Sequence, residues 1–155
     1  MAKNIHFNEF KLEYKENFYQ FNSKGIYKKR LPNYDKESVW KFVRNGLSFR
    51  ENTTIRSAWL FYITEKGKVL GYSRFYGVFR RSEGPEVLRN IMMAGVTNVV
   101  MVMEFDLKDY KSEDFYPSLI TRFYTEKFSY AEITIQDALV VSDITYYSLK
   151  ENSLI

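Results

Sequence analysis

Ala58-Trp59-Leu60-Phe61-Tyr62-Ile63 is a nearly continuous apolar run of strand-forming residues, the pattern of a strand covered on both faces rather than one side of a solvated ribbon. Glu65-Lys66-Gly67-Lys68 follows as a turn, and a second strand from Val69 to Tyr76 completes a hairpin. A comparable strand occupies Thr97 to Met103. Strands of this kind require helices packed on a sheet, which restricts the chain to layered α/β or α+β architectures.

The helices are legible between the strands. Asp35 is placed to cap a helix whose apolar positions Val39, Trp40 and Val43 recur at three- and four-residue steps, with Gly46 as its stop. Ser82-Glu83-Gly84-Pro85-Glu86 opens a second helix with Val87, Leu88, Ile91 and Met92 on one face, ending at Gly95. Pro117 opens a third, carrying Leu119, Ile120, Phe123, Tyr124 and Phe128. Short strands around Ile133–Gln136, Ala138–Val141 and Thr145–Leu149 close the chain. The core thus reads β-β-α-β-α-β-β, a mixed sheet flanked by helices. Before it, Phe7–Tyr14 reads as a strand and Asn22–Asn33 as a basic, turn-rich connection. The 155 residues are expected to form one domain, 1–155, with 1–50 as a basic strand-plus-helix extension.

Composition removes several kinds of chemistry. The chain has no cysteine, so disulfides, thiolate metal sites and cysteine nucleophiles are excluded. Its one histidine, His6, cannot supply the two or three imidazoles of a common zinc site, and near the terminus it is poorly placed for a Ser-His-Asp triad. No segment approaches the roughly 18 uninterrupted apolar residues of a membrane span. Met1–His6 lacks the apolar core of a secretory signal, and a cytoplasmic location with no membrane partner is the expectation.

The net charge of +4 is uneven: residues 1–50 hold 11 Lys/Arg against 5 Asp/Glu, and the remainder holds 12 against 14. Lys11, Lys15, Lys28, Lys29 and Arg30 alternate with Phe10, Tyr14, Phe18, Tyr19, Phe21 and Tyr27, a combination able to follow a phosphate backbone while stacking bases. Glu9, Glu13 and Glu16 interrupt that stretch, and aromatics serve a core equally well. Nucleic-acid contact and ordinary folding both remain open for these residues.

Asp137-Ala138-Leu139-Val140-Val141-Ser142-Asp143-Ile144-Thr145-Tyr146-Tyr147-Ser148-Leu149 resembles the closing segment of RadC-like proteins of the JAB/MPN metalloprotease-like superfamily, in which an Asp-His pair begins an apolar strand. The likeness extends through Trp59–Ile63, Lys68-Val69-Leu70-Gly71, the Gly84-Pro85 helix opening and the strand ending at Met103. Asn8–Lys15 resembles the first strand of short RadC-like proteins of bacterial mobile elements. Active members bind zinc through a His-x-His pair after the third strand and an Asp about ten residues later, while a Glu from an early strand handles the proton of the metal-bound water. Carried onto this sequence, the His-x-His positions fall on Glu104 and Asp106, the Asp on Pro117, and the Glu on Ser73 or Arg74; the His after Asp137 is Ala138.

The resemblance therefore implies a JAB/MPN-like layered domain whose zinc centre has been substituted, with no cofactor and no catalytic residue. Such a domain would act by binding a protein partner, by self-association, or by binding nucleic acid. The alternative is a hydrolase with a rebuilt acidic site, in which Glu104 and Asp106, with Asp109, Glu113 or Asp114, hold Mg²⁺, Mn²⁺ or Ca²⁺. Under the first reading Arg74 is expected to face Glu104 or Asp106 and fill the vacated site with an ion pair. Arg80 and Arg81 near the Pro85 helix are read as a solvated turn or an anion site, and Phe75-Tyr76, Phe79 and Phe115-Tyr116 as sheet packing or an exposed interaction surface.

Overall fold

The computed structural model describes residues 7–15, 18–26, 33–105 and 114–155. One seven-stranded mixed sheet organises them, in the order β2-β1-β4-β3-β5-β6-β7. The strands are β1 (Phe7–Lys15), β2 (Phe18–Ile26), β3 (Ser57–Ile63), β4 (Val69–Tyr76), β5 (Asn98–Glu104), β6 (Thr134–Val141) and β7 (Tyr146–Ser148). Three α-helices accompany them: α1 (Lys36–Val43), α2 (Gly84–Ala94) and α3 (Tyr116–Ser129). The central strand β3 runs antiparallel to both neighbours, β4 and β5, while β5 and β6 are parallel.

The apolar runs are continuous because both faces of the sheet are covered. Ala58, Leu60 and Tyr62 of β3 pack with Val99, Met101 and Met103 of β5 beneath Val87, Ile91, Ile120, Tyr124 and Phe128 of α2 and α3. The alternate positions Trp59, Phe61 and Ile63, with Val100 and Val102, meet Val39 and Val43 of α1 on the other face. Each fully buried aliphatic or aromatic side chain of this kind contributes about 1.5–3 kcal/mol relative to exposure.

The helix boundaries follow local chemistry. Asp35 caps α1 by accepting the Ser38 N–H at 3.1 Å. Proline opens both α2 and α3, and Gly95 ends α2 in the left-handed region at φ 73°.

Two readings of the sequence are corrected. Asn22–Asn33 is not wholly a connection, because β2 continues to Ile26 and pairs with β1 in unbroken register from Lys15↔Phe18 to Phe7↔Ile26. Lys24 and Gly25 look like turn residues, but nine consecutive pairings override that local preference. Ile133–Gln136 and Ala138–Val141 do not form separate strands. Val99 pairs with Ile135 and Val100 with Asp137, so Gln136 is a bulge within one strand. The extra residue returns Ala138 to the same face as Ile135, which breaks the two-residue alternation without breaking the strand.

The first strand joins the sheet through a close approach. β1 runs parallel to β4 with Asn8 opposite Gly71 and Glu9 opposite Tyr72. A Cβ on Gly71 would lie 2.1 Å from the Asn8 carbonyl oxygen, so this contact requires glycine.

Candidate functional site

Of the residues expected to carry chemistry, Glu104 lies where β4, β5 and β6 end and β3 begins. A cleft of about 260 Å³ opens there, lined by Leu47, Ser48, Phe49, Arg56, Glu104, Phe105, Val141, Ser142 and Asp143. In open α/β sheets the carboxyl ends of parallel strands are where ligands bind, and the parallel pair β5 and β6 ends at this cleft.

Glu104 is the last residue of β5 rather than part of a loop. Its Oε2 accepts the Ser57 N–H at 3.0 Å and the Ser48 N–H at 2.9 Å; its Oε1 accepts the Ser48 N–H at 3.0 Å and the Ser48 hydroxyl. The carboxylate ties the start of β3 and the segment after α1 to the end of β5. Asp106, Asp109 and Glu113 lie outside the described residues.

Arg74 corrects the expected ion pair. Its guanidinium forks onto Glu51, Nη1 at 2.9 Å and Nη2 at 2.7 Å, and Nη2 also donates to the Gly46 carbonyl at 2.7 Å and the Ser57 hydroxyl at 2.8 Å. It sits over the Trp59 and Tyr76 rings, at 5.4 and 4.7 Å from their centroids. Trp59 is opposite Arg74 in the antiparallel register, and both face the α1 side where Gly46 and Glu51 lie; Glu104 shares that side, but its oxygens are taken by Ser48 and Ser57. Burial is the largest single influence and works against the guanidinium's charge, but the Glu51 hydrogen bond together with the charges of Tyr76, Glu51 and Tyr72 outweighs it and raises the pKa. Reciprocally, the Arg74 hydrogen bond holds the Glu51 carboxyl below the ordinary carboxylate range.

Ser73 points the other way, into a buried polar knot. Its hydroxyl donates to the Phe10 carbonyl at 2.8 Å and lies 2.5 Å from the Tyr62 hydroxyl. Burial raises the Tyr62 phenol well above its ordinary pKa, so it offers Ser73 no base. Pro117 is buried in the first turn of α3, and Ala138 is core. Asp137 is also structural: it accepts from the Ala138 N–H at 2.7 Å, the Ser148 hydroxyl at 2.9 Å and the Tyr34 hydroxyl at 3.1 Å.

These residues do not fit zinc. Glu104 already accepts from two backbone N–H groups and a hydroxyl, Pro117 offers no side-chain donor atom, and Ser73 and Arg74 face opposite sides of β4. Among the described residues no group of three or more His, Asp or Glu is placed to hold a metal ion.

The nucleic-acid candidates are brought together only in part. Lys11 and Lys15 fall on β1, where Lys11 is exposed and pairs with Glu13 at 3.8 Å; Lys28, Lys29 and Arg30 lie outside the described residues. Arg81 stacks on Phe123 at 4.9 Å, and Arg56 on Phe105 at 4.4 Å. Phe79 and Phe115 are buried, whereas Tyr76 is exposed. Sequence reasoning missed Ser48, Ser57 and Glu51, which have no motif and become visible as partners only once the strands are paired. No helix among the described residues is long and apolar enough to cross a membrane. Compared with protein-family models and with curated proteins, the chain matches none.

Proposed function

We propose that the chain is a divergent RadC-like JAB/MPN module, cytoplasmic and non-catalytic, that works by binding a macromolecular partner, protein before nucleic acid. The observation that carries this reading is Glu104: at the position where the resemblance implies a metal ligand, a carboxylate is spent on the Ser48 and Ser57 backbone. A ligand carboxylate needs lone pairs facing an open coordination site. This one holds β3 and β5 together. The resemblance adds that superfamily members without zinc ligands serve as dimerisation and scaffold partners, and the mixed sheet covered on both faces by helices agrees with the expected layered domain.

The test is metal analysis of the purified protein, with thermal unfolding in Zn²⁺, Mn²⁺, Mg²⁺ and Ca²⁺. An ion bound to the native state must raise Tm by mass action. The expected result is no stoichiometric metal and no shift. A Tm increase abolished by Asp106→Asn would overturn the reading and favour the acidic-site hydrolase. DNA and RNA affinity at two salt concentrations then separates partner classes, because phosphate contacts weaken steeply with salt. Negligible binding at low salt leaves protein as the partner.

A further inference from the structure

We propose that β2 is the interface through which two copies of this chain associate, by antiparallel pairing of one β2 with the other across a two-fold axis at Asn22. The inference names a partner for the binding module and in that sense rests on the proposed function. The two edges of the sheet are unlike. β7, at one edge, is three residues long and is followed at once by the turn at 149–153. Short edge strands are a common protection against unwanted pairing. β2, at the other edge, is nine residues long, pairs with β1 without a bulge, contains no proline, and among the described residues has no strand on its outer side. Such an edge presents alternate backbone N–H and C=O groups as a template for another strand.

Self-pairing follows from the register. Only one centre overlaps all nine residues with themselves, and it sets Asn22 opposite Asn22, Phe21 opposite Ser23, Gln20 opposite Lys24 and Phe18 opposite Ile26. Lys24 is the one charged residue in β2, and in this register it meets Gln20, so no like charges oppose each other. β1 next to it carries Glu9, Lys11, Glu13 and Lys15, the alternating charge an internal or solvated ribbon tolerates. An isologous β2–β2 contact consumes both long edges, and the short β7 edges that remain end growth at a dimer.

The absence of native cysteine makes the test direct. In the full chain, Asn22→Cys places two thiols across the axis within disulfide reach, roughly 4.5–5.5 Å between Cα atoms. Gln20→Cys on the same strand is displaced from its own copy by four residues, about 13 Å, beyond reach. Mild oxidation is expected to give covalent dimer from Asn22→Cys and none from Gln20→Cys. Light scattering over about a hundredfold range of concentration is expected to find a species of twice the 18.6 kDa chain mass, and Asn22→Lys, which opposes two ammonium groups, to shift it to monomer with unchanged Tm when dilute. A wild-type monomer throughout, equal cross-linking of the two cysteine variants, or a dimer untouched by Asn22→Lys would each overturn the proposal. A bound metal would overturn the non-catalytic reading while leaving these outcomes as they stand, so the two failures are distinguishable.

Discussion

The Ser57 N–H donates to the Glu104 carboxylate at 3.0 Å while the Ser57 hydroxyl accepts from Arg74 Nη2 at 2.8 Å, so one residue at the start of β3 joins the anion ending β5 to the cation on β4. Removing the acceptor strands the donors. Glu104→Ala leaves the Ser48 and Ser57 N–H groups without their partner, a loss of about 2–3 kcal/mol of folding stability. Glu104→Gln keeps one carbonyl oxygen and is expected to cost about half as much. Urea unfolding of the two variants measures the difference; equal, negligible losses would mean that the carboxylate holds nothing.

Acid should weaken the neighbouring pair. The Glu51 carboxyl has its pKa lowered by the Arg74 hydrogen bond, so its contribution is present above the unfolded-state value and is lost as pH falls through the lower, folded value. The pair is partly exposed, which keeps the effect small. Wild type is expected to be slightly more stable than Glu51→Gln at pH 6, with the difference closing toward pH 3. Tm measured across that range checks it, and a gap that stays constant would assign the loss to packing instead of charge.

How far the sequence discloses this arrangement depends on the range of the interaction involved. β3, β4, α2 and β5 are legible because apolar periodicity and capping residues act within a few positions. Gln136 defeats that logic, since a bulge is visible only against the partner strand. Arg74 fails for the same reason. Its distance in sequence to Glu51, 23 residues, is shorter than to Glu104, but both carboxylates lie on the α1 side of the sheet, and Arg74 meets Glu51 because the segment after α1 brings it there while Glu104 is held by Ser48 and Ser57. In the sequence the strand from Thr97 reads as ending at Met103 with Glu104 just beyond it, whereas Glu104 is the last residue of β5, and its bonding comes from two serines that carry no local signal.

Gly71 tests how the N-terminal ribbon is attached. An added methyl would collide with the Asn8 carbonyl, which is backbone and cannot swing aside as a side chain can. Gly71→Ala is expected to displace β1 from β4 and with it the Ser73 bond to the Phe10 carbonyl, while β3, β5 and β6 retain their core. Hydrogen exchange should show loss of protection confined to β1 and the facing amides of β4. Unchanged protection in β1 would show that the sheet accommodates the methyl by a small shift. Global unfolding would instead mean that the ribbon is indispensable to the core.

Tyr34 sets an alkaline limit. Its hydroxyl donates to Asp137, and burial, followed by the charge of that carboxylate, pushes the phenol's pKa far above its ordinary value. The sign is opposite to that for Glu51. A raised folded-state pKa stabilises fully below the unfolded-state value, about 10 for tyrosine, and the stabilisation drains away as pH rises beyond it. At pH 8 Tyr34→Phe is expected to cost about 1–2 kcal/mol, the worth of a hydrogen bond to a carboxylate on a partly buried site. Tyr62, Tyr72 and Tyr124 are raised as well, so both proteins will lose stability in base. What identifies Tyr34 is the difference between them: it should shrink between pH 9 and 11, because only wild type still has this phenol to ionise. Denaturant unfolding at those pH values measures it, and a difference that holds steady would show that the Tyr34 hydroxyl is not tied to Asp137 in solution.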